Sequence, residues 1–278
     1  MCVGKEEASD DEERENLADL VWSFDDDDDD ATTKRQIRLT NAAEAGSLTN
    51  TTGWTTWDSA FAVMHYLSRR QERLVQNKTI LDIATGNGLV ALGCAALGAK
   101  SVVATEVESC LNLPNQNVEL NCCCCRKYVK EKSEEKCWAC HVDVQEYKLG
   151  GFREDKNKTP AINGKSNFDL AIICDLLFIS IRDEFEKALK NEIIRWCKAG
   201  TEVLFAYEER VCNKEEDFFA QFTTLEDELT LEEIPSSEIE TSTSRPEDED
   251  NNFGAQLFYE PPPVRFFMFR RQENAEAR

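Results

Sequence analysis

Residues 79–90 read Thr-Ile-Leu-Asp-Ile-Ala-Thr-Gly-Asn-Gly-Leu-Val, and residues 102–106 read Val-Val-Ala-Thr-Glu. In the first segment an apolar β-branched run ends near Asp82, a glycine-containing loop follows, and apolar residues then continue at helical spacing. This pattern predicts a strand, a tight turn and a helix N-terminus whose free N–H groups can face a ligand. The second segment predicts a neighbouring strand that carries Glu106 to the same edge of a sheet, where its carboxylate can bind both hydroxyls of a ribose. The sequence therefore predicts a nucleoside site.

Two classes of nucleoside cofactor fit this pattern. Gly86, Gly88 and Ala91 satisfy the G-x-G-x-x-G/A dinucleotide fingerprint, and Glu106 follows at about the spacing at which such sites place an acid. An NAD enzyme is therefore one hypothesis. Asp82 argues against it, because a carboxylate near the turn would repel a pyrophosphate and attract the sulfonium and ammonium groups of S-adenosylmethionine. The residues favour S-adenosylmethionine as the cofactor.

Negative charge is concentrated at the start of the chain. The formal net charge of the 278 residues is −22, and residues 1–30 hold fourteen Asp and Glu against Lys5 and Arg14, a net of −12. Such a block cannot bury enough apolar surface to order itself, so we expect residues 1–45 to form an acidic disordered tail. The tail suits a basic protein partner or serves solubility alone, and it makes a nucleic-acid substrate unlikely.

The sequence also bears on the compartment. No apolar run reaches the length of a membrane span, and the N-terminus lacks the pattern of a signal peptide, so we expect a protein that does not enter a membrane. Twelve cysteines without a secretory signal indicate a reducing compartment, which predicts a cytoplasmic protein, with the nucleus also open. The cysteine run at 122–125, together with Cys137 and Cys140, raises a zinc hypothesis, but adjacent cysteines cannot all face one tetrahedral ion. The run is therefore interpreted as part of a variable insertion, and no metal site is predicted.

The order of elements predicts an α/β fold. Strands are expected near 79–84, 101–105, 138–144, 168–174 and 201–207, with helices between them, and two further strands near 228–234 and 264–269 have no helix between them. This order predicts a Rossmann-like seven-stranded sheet, mostly parallel, that ends in a C-terminal antiparallel hairpin, which is the class I methyltransferase arrangement. The domain would span residues 46–278, with insertions at about 122–137, 150–166 and 236–252.

Five segments in this order resemble the seven-β-strand protein lysine methyltransferases of the family 16 type. They are TGWTTWDSA at 52–60, LDIATGNGL at 81–89, Thr105-Glu106, NVELN at 117–121 and CDLLF at 174–178. The resemblance covers roughly residues 45–270. It implies S-adenosylmethionine as the cofactor and a lysine of a non-histone protein as the acceptor, in a group that modifies translation elongation factors, Hsp70-type chaperones and AAA ATPases.

The resemblance also implies a set of site residues. Those expected to bind the cofactor are Trp57, Asp82, Ala84, Thr85, Gly86, Gly88, Glu106, Asp143, Val144 and Cys174, with Asp143 and Val144 placed at the adenine. Ala84 departs from the family, which usually has a glycine there. If the φ angle of Ala84 is negative, its methyl group should weaken cofactor binding without abolishing it.

Asp175 and Phe178 are the predicted catalytic residues. Transfer of a methyl group to a neutral amine requires alignment and desolvation of the two reactants and no covalent intermediate. Asp175, at the carboxyl end of a strand, could orient the acceptor amine, and Phe178 could wall the lysine channel and stabilise a cation by its ring face. Alternatively, Asp175 caps the following helix and Phe178 belongs to the core. Tyr207-Glu-Glu-Arg210 either lines the substrate entrance or is a solvated charge run.

Other functions stay open on the residues alone. The acceptor could be another nucleophile, such as a small molecule or a protein histidine, or the chain could be a non-catalytic binding module that kept the methyltransferase fold. The expected partner is a protein substrate with a basic or lysine-bearing surface, and the protein is expected to be a monomer.

Overall fold

The computed structural model describes residues 20–23, 36–40, 56–122, 138–150, 162, 167–222, 229–239 and 263–272. Its strands are β1 Leu20–Ser23, β2 Gln36–Leu39, β3 Thr79–Ile83, β4 Ser101–Glu106, β5 Val142–Glu146, β6 Leu170–Cys174, β7 Glu202–Glu208, β8 Leu229–Ile234 and β9 Val264–Arg271. Strands β3 to β9 form one sheet in the order β5-β4-β3-β6-β7-β9-β8, in which β9 runs antiparallel to both of its neighbours and the other pairs are parallel. The predicted sheet, including its terminal hairpin, is confirmed.

Helices cover both faces of this sheet. They are α1 Asp58–Ser68, α2 Gln71–Leu74, α3 Leu89–Ala96, α4 Asn112–Asn121, α5 Leu176–Arg182, α6 Glu186–Trp196 and α7 Cys212–Ala220. Alternate residues of each central strand enter one of two buried clusters: Ile80 and Ile172 pack towards α1 and α3, whereas Leu81 and Ile173 pack towards α6 and α7. This double burial explains why the central strands are apolar throughout.

The segment before the domain is partly ordered, which corrects the expectation of disorder through residue 45. Strands β1 and β2 pair antiparallel, and Ile37 and Leu39 of β2 are fully buried in the core. The physical reason is local: two apolar side chains at alternate positions give this short segment a face that the core can bury. The remainder of the acidic tail, and most of the three predicted insertions, lie outside the described residues.

Two asparagine side chains of α4 hold the outer edge of β2. Asn117 accepts hydrogen bonds from the backbone N–H and the hydroxyl of Thr40, both at 2.9 Å, and donates to the carbonyl of Asn87 at 2.7 Å. One helical turn later, Asn121 accepts from Arg38 N at 2.9 Å and donates to Arg38 O at 2.6 Å. The two amides therefore replace a neighbouring strand, because each offers the donor and acceptor that a strand edge requires.

The loop between β3 and α3 turns through left-handed backbone conformations. Ala84, Gly86 and Gly88 have φ angles of 57°, 60° and 90°. The positive φ of Ala84 removes the condition under which its methyl group was expected to be tolerated, because a side chain with Cβ is strained there. The loop is held by a hydrogen bond from Thr85 N to Thr105 O at 2.8 Å. The backbone of the loop is therefore fixed to the end of β4 even though Ala84 opposes its shape.

Smaller differences concern element boundaries. His141, expected inside a strand, lies in a 3-10 turn, and β5 begins at Val142 and ends at Glu146. The cap position of helix α1 is Trp57, which makes no side-chain capping bond. Strand β5 therefore extends further towards its carboxyl end than the sequence suggested.

We expect Asn117→Ala to lower the free energy of unfolding by about 2–4 kcal/mol, because it removes the hydrogen bonds of this fully buried side chain to Thr40 and to the carbonyl of Asn87. Amide hydrogen exchange should become fast at residues 36–40 while the central strands stay protected. Asn115→Ala is the matched control: Asn115 is exposed on the same helix, and its amide donates only to Leu111 O. Equal destabilisation by both substitutions, measured by denaturant titration, would contradict this account.

We expect Ala84→Gly to raise the free energy of unfolding by about 1 kcal/mol, because glycine adopts the left-handed conformation without steric cost. Ala91→Gly, in the middle of α3, is the control and should lower stability by about 1 kcal/mol. Chemical denaturation of both variants measures the effect, and a destabilised Ala84→Gly protein would show that the strain is absent.

Candidate active site

A cavity of about 440 Å³ lies at the carboxyl edge of the parallel strands. It is the place where α/β sheets of this kind bind ligands. The structure brings together most of the predicted site residues in its lining, namely Trp57, Asp82, Ala84, Thr85, Gly86, Glu106, Cys174 and Asp175. These residues come from the ends of β3, β4 and β6 and from the segment ahead of α1, so the convergence follows from the parallel order of the strands.

Glu106 ends β4 and ties the loop to that strand. Its carboxylate accepts hydrogen bonds from Gly86 N and from Val107 N, each at 2.9 Å. Burial raises the pKa of this carboxyl group above its ordinary value, and the two N–H groups partly oppose the rise. The side chain is thus fixed at the cavity wall with acceptor capacity to spare, since each oxygen can accept a further bond.

Asp82 is the second carboxylate of the cavity and is less well compensated. It is almost fully buried and accepts one hydrogen bond from the hydroxyl of Thr85 at 2.6 Å. Burial raises its pKa to about 7, and nearby Glu106 adds to the rise, whereas hydrogen bonds from the Thr85 hydroxyl and the backbone N–H of Ala91 oppose it.

No ion pair among the described residues includes Asp82 or Glu106. Two buried acids in one cavity, neither of them in an ion pair within the described part of the chain, fit a ligand that carries positive charge. They do not fit a pyrophosphate. The two carboxylates of the cavity therefore agree with S-adenosylmethionine and disfavour the dinucleotide alternative.

Asp175 follows β6 and is held by an arginine. Its backbone has a φ angle of 54°, and it occupies the cap position of α5 without a side-chain capping bond, so the alternative role as a helix cap is wrong. Its carboxylate instead accepts two hydrogen bonds from the guanidinium of Arg210, at 2.9 and 3.2 Å. Arg210 also pairs with Glu208, which ends β7. The predicted catalytic acid is therefore one half of a bidentate ion pair.

The guanidinium of Arg210 also contacts two aromatic rings. It lies 4.7 Å from the centroid of the Trp57 ring and 5.1 Å from that of the Phe178 ring. Trp57 borders the cavity, whereas Phe178 does not line it. The prediction that Phe178 stabilises a substrate cation is corrected here, because the cation that its ring meets is Arg210.

The predicted adenine residues lie elsewhere. Asp143 accepts a hydrogen bond from Gln145 at 2.7 Å, Val144 packs against the core, and neither lines the cavity. The lining after β5 consists of Tyr147, Lys148 and Leu149. The sequence placed the end of this strand too early, and the corrected boundary would have indicated these residues.

The sequence analysis did not identify Tyr147 or its partner Glu192, and it placed Gly88 in the site although this residue lies beside it. Tyr147 has its hydroxyl bonded to Glu192, which is fully buried on α6 and also accepts from the indole of Trp196 at 3.1 Å. Gly88 lies at the cap position of α3, next to the cavity rather than in its lining. The signal for Glu192 is an acid on the apolar face of a helix, where it needs buried partners.

Within the described ranges, no helix has the length and apolar composition needed to cross a membrane. The same ranges hold no group of three or more metal-binding side chains. Cys123 to Cys125 and Cys137 lie outside these ranges.

Comparison with known proteins adds a second line of support. The protein-lysine methyltransferase METTL21E of Mus musculus is 26% identical over 184 residues, which cover 66% of this chain and 67% of the mouse protein. The protein N-terminal and lysine N-methyltransferase EFM7 of Yarrowia lipolytica is 28% identical over 127 residues, 44% of this chain and 45% of that protein, so the match spans about half the length of this relative. A TehB-like S-adenosylmethionine-dependent methyltransferase from Corynebacterium glutamicum matches with a TM-score of 0.46 at 12% identity, covering 83% of this chain and 92% of that one.

A family model described as lysine methyltransferase matches residues 41–225. This match contains β3 to β7 and every residue of the cavity named above. The family and the sheet together imply S-adenosylmethionine as the cofactor, which confirms that prediction. Because this match spans well over half of the chain, and because the topology of the sheet agrees with it, the chain belongs to the lysine methyltransferase family.

Proposed function

We propose that this protein is an S-adenosylmethionine-dependent N-methyltransferase that modifies lysine side chains of a non-histone protein. The observation that carries the proposal is the pair of buried carboxylates, Asp82 and Glu106, that face one cavity and belong to no ion pair among the described residues. Membership of the lysine methyltransferase family, and the names of the two relatives, support lysine as the acceptor.

The residues of the cavity divide into roles. Glu106 would hold the ribose hydroxyls, because it is fixed by backbone N–H groups on one side and has free acceptor capacity on the other. Asp82 would face the cationic part of the cofactor, because it is the carboxylate with least compensation from the chain. When bound, S-adenosylmethionine supplies a methyl group on a positively charged sulfur.

On the acceptor side, the chain has to present a neutral amine in line and without water. Asp175 and Trp57 line the end of the cavity and are both fixed by Arg210. Oδ1 of Asp175 accepts from Arg210 and, at 3.4 Å, from Glu208 N, whereas Oδ2 accepts from Arg210 and keeps capacity for a further bond. Asp175 can therefore receive the N–H of an acceptor amine at a fixed position, which is the contribution expected of a residue that aligns reactants.

The charge of the chain supports a protein substrate with a basic or lysine-bearing surface. With a net charge of −22, long-range attraction favours such a surface and disfavours nucleic acid. We further propose a monomer in the cytoplasm, with the nucleus also open. The described cysteines Cys94, Cys110, Cys122, Cys174 and Cys197 are free, which is consistent with a reducing compartment.

A second acceptor follows from the name of the Yarrowia lipolytica relative, which includes protein N-terminal methylation. An α-amino group is chemically similar to a lysine amine, and the same site could align it. The two acceptors differ in where a transferred methyl group is found, so one experiment distinguishes them.

Transfer from S-adenosylmethionine with a labelled methyl group to the proteins of a cell extract tests the proposal. We expect label on lysine side chains of a protein acceptor. Glu106→Gln should weaken binding of S-adenosylhomocysteine by about 100-fold, since charged hydrogen bonds to hydroxyls contribute about 1.5–3 kcal/mol each. Asp175→Ala should bind it normally and lose transfer.

Several outcomes would contradict the proposal. Label on α-amino groups alone would move the acceptor to the protein N-terminus, and label on small molecules alone would exclude a protein acceptor. A failure to bind S-adenosylhomocysteine at millimolar concentration would contradict the hypothesis that the protein is an enzyme. Equal loss of binding in both variants would refute the division of roles between Glu106 and Asp175.

Asp82 should make cofactor binding depend on pH. Its pKa is about 7 in the free protein, so binding of a cationic ligand should displace the proton, and affinity should fall as pH drops from 8 to 6. The stability of the free protein should change in the opposite sense. Between the ordinary pKa of 3.8 and about 7 the folded state holds a proton that the unfolded state releases, so stability decreases as pH rises through this window and then levels off.

Isothermal titration calorimetry of S-adenosylmethionine binding, in two buffers of different ionisation enthalpy, measures the proton release directly. Thermal denaturation from pH 4 to pH 8 measures the stability. Asp82→Asn should abolish the proton release and flatten the stability profile, leaving the smaller contribution of Glu106, whose pKa is also raised by burial. An unchanged stability profile in this variant would contradict the assignment.

A further inference from the structure

Arg210 is held by three carboxylates at the acceptor end of the cavity. Its guanidinium pairs with Asp175 through two bonds and with Glu208, and its backbone N–H donates to Glu215 at 3.0 Å. Glu215 is fully buried and also accepts from Val211 N at 3.1 Å. Both the main chain and the side chain of Arg210 are therefore fixed, and its position is defined by partners on α5, β7 and α7.

This arrangement sets the charge of the acceptor end. Two carboxylates, Asp175 and Glu208, share one guanidinium, which leaves one net negative charge. A single remaining charge can attract a cationic side chain, whereas two uncompensated acids would hold its proton more strongly and oppose formation of the neutral amine. Arg210 thus tunes the site between attraction of the substrate and release of its proton.

The same guanidinium fixes geometry. A bidentate contact defines the plane of the Asp175 carboxylate, which a single point charge cannot do. Its contact with the ring of Trp57 joins this carboxylate to the wall of the cofactor cavity. The ring of Phe178 packs near the guanidinium as well. The positions of the acceptor-binding carboxylate and of the cofactor wall therefore depend on one residue.

We propose that Arg210 is a positioning residue for methyl transfer: it holds the Asp175 carboxylate and the Trp57 ring in the arrangement that the acceptor amine meets. This inference deepens the proposed function and rests on it. Arg210 does not contact the reacting atoms in this account. Arg210 has two alternative roles. It could be a solvated surface charge, or its guanidinium could occupy the position of the acceptor and have to leave before the substrate binds.

The test compares Arg210→Ala and Arg210→Lys with matched variants of Arg265. Arg265 has the same kind of surroundings, since it pairs with Glu233 and Glu209 and its guanidinium lies 5.3 Å from the Phe267 ring centroid. None of these partners lines the cavity, whereas Asp175 and Trp57, the partners of Arg210, do. A purely structural loss should therefore be similar at the two positions. Methyl transfer to the acceptor protein identified by the labelling experiment, and binding of S-adenosylhomocysteine, are measured for each variant.

We expect kcat of Arg210→Ala to fall by about 100-fold, the loss that misplacement of a reacting group produces, while KM and the affinity for S-adenosylhomocysteine change by less than about threefold. Arg210→Lys should recover little, because an ammonium cannot make two parallel bonds. Methylguanidinium at millimolar concentration should restore transfer in Arg210→Ala, and methylammonium should not. The Arg265 variants should behave as the wild-type protein.

Other results would overturn the proposal. Transfer by Arg210→Ala at or above the wild-type rate would identify Arg210 as an occupant or a surface charge. Full activity of Arg210→Lys would show that charge alone suffices, and an equal loss in Arg265→Ala would indicate a general loss of structure.

A readout without substrate separates this inference from the proposed function. In protein labelled with ¹⁵N-tryptophan, the indole resonance of Trp57 should shift in Arg210→Ala and return with methylguanidinium. If the wild-type protein transfers no methyl group but this resonance behaves as expected, the proposed function fails and the positioning of Trp57 by Arg210 stands. If the resonance does not move, the inference fails whatever the activity.

Discussion

The structure depends on how three buried carboxylates at one edge of a sheet are compensated. Strands β3, β4 and β6 are neighbours and parallel, so Asp82, Glu106 and Asp175 at or near their carboxyl ends must converge. Charges that converge in a water-poor environment repel one another and lose solvation energy. Each carboxylate therefore needs hydrogen bonds, an ion pair or a shifted pKa to compensate for this cost. Glu106 has two backbone N–H groups, Asp175 has Arg210, and Asp82 has the Thr85 hydroxyl, the backbone N–H of Ala91 and a raised pKa.

These different contacts suit the three carboxylates to different tasks. A carboxylate that is held by N–H groups is a rigid acceptor for hydroxyls, and one that is paired with arginine is a rigid acceptor with reduced charge. The hydrogen bonds from Thr85 and Ala91 leave the pKa of Asp82 raised to about 7, so a cationic ligand gains by meeting this carboxylate. The donor and acceptor ends of the cavity therefore differ in electrostatics, although all three acids are chemically alike. In the proposed function, this difference suits a site that binds a charged donor and must also free an amine of its proton.

The sequence was sufficient for features that depend on local pattern and strand order. The apolar runs and the glycine loop predicted β3, α3 and β4, and parallel topology then placed Asp82, Glu106 and Asp175 at one edge. Arg210 was not predicted as the partner of Asp175, because it lies in a charged stretch that resembles a solvated turn. The pairing of β6 with β7, in which Cys174 lies opposite Ala206, is what brings the two residues together, and it is a property of the sheet rather than of either segment. Tyr147 was missed for a simpler reason, since the end of β5 cannot be fixed by periodicity to within a few residues.

The strained backbone conformations of the site lie at the same edge of the sheet. Ala84 after β3 and Asp175 after β6 both adopt left-handed backbone conformations, and the strands that precede them are neighbours. Aspartate tolerates this conformation better than alanine, and Asp175 N also donates to Ala206 O at 2.8 Å, so its turn is supported from β7. Ala84 has no such advantage of residue type, and its loop is kept in place by bonds of its neighbours to β4 and by Asn117, which binds the carbonyl of Asn87. Because Asn117 also holds Thr40, the ordered segment ahead of the domain and the cofactor loop share one buried side chain. The strained conformation persists because surrounding contacts over-determine it, which is the condition under which strain survives at functional sites.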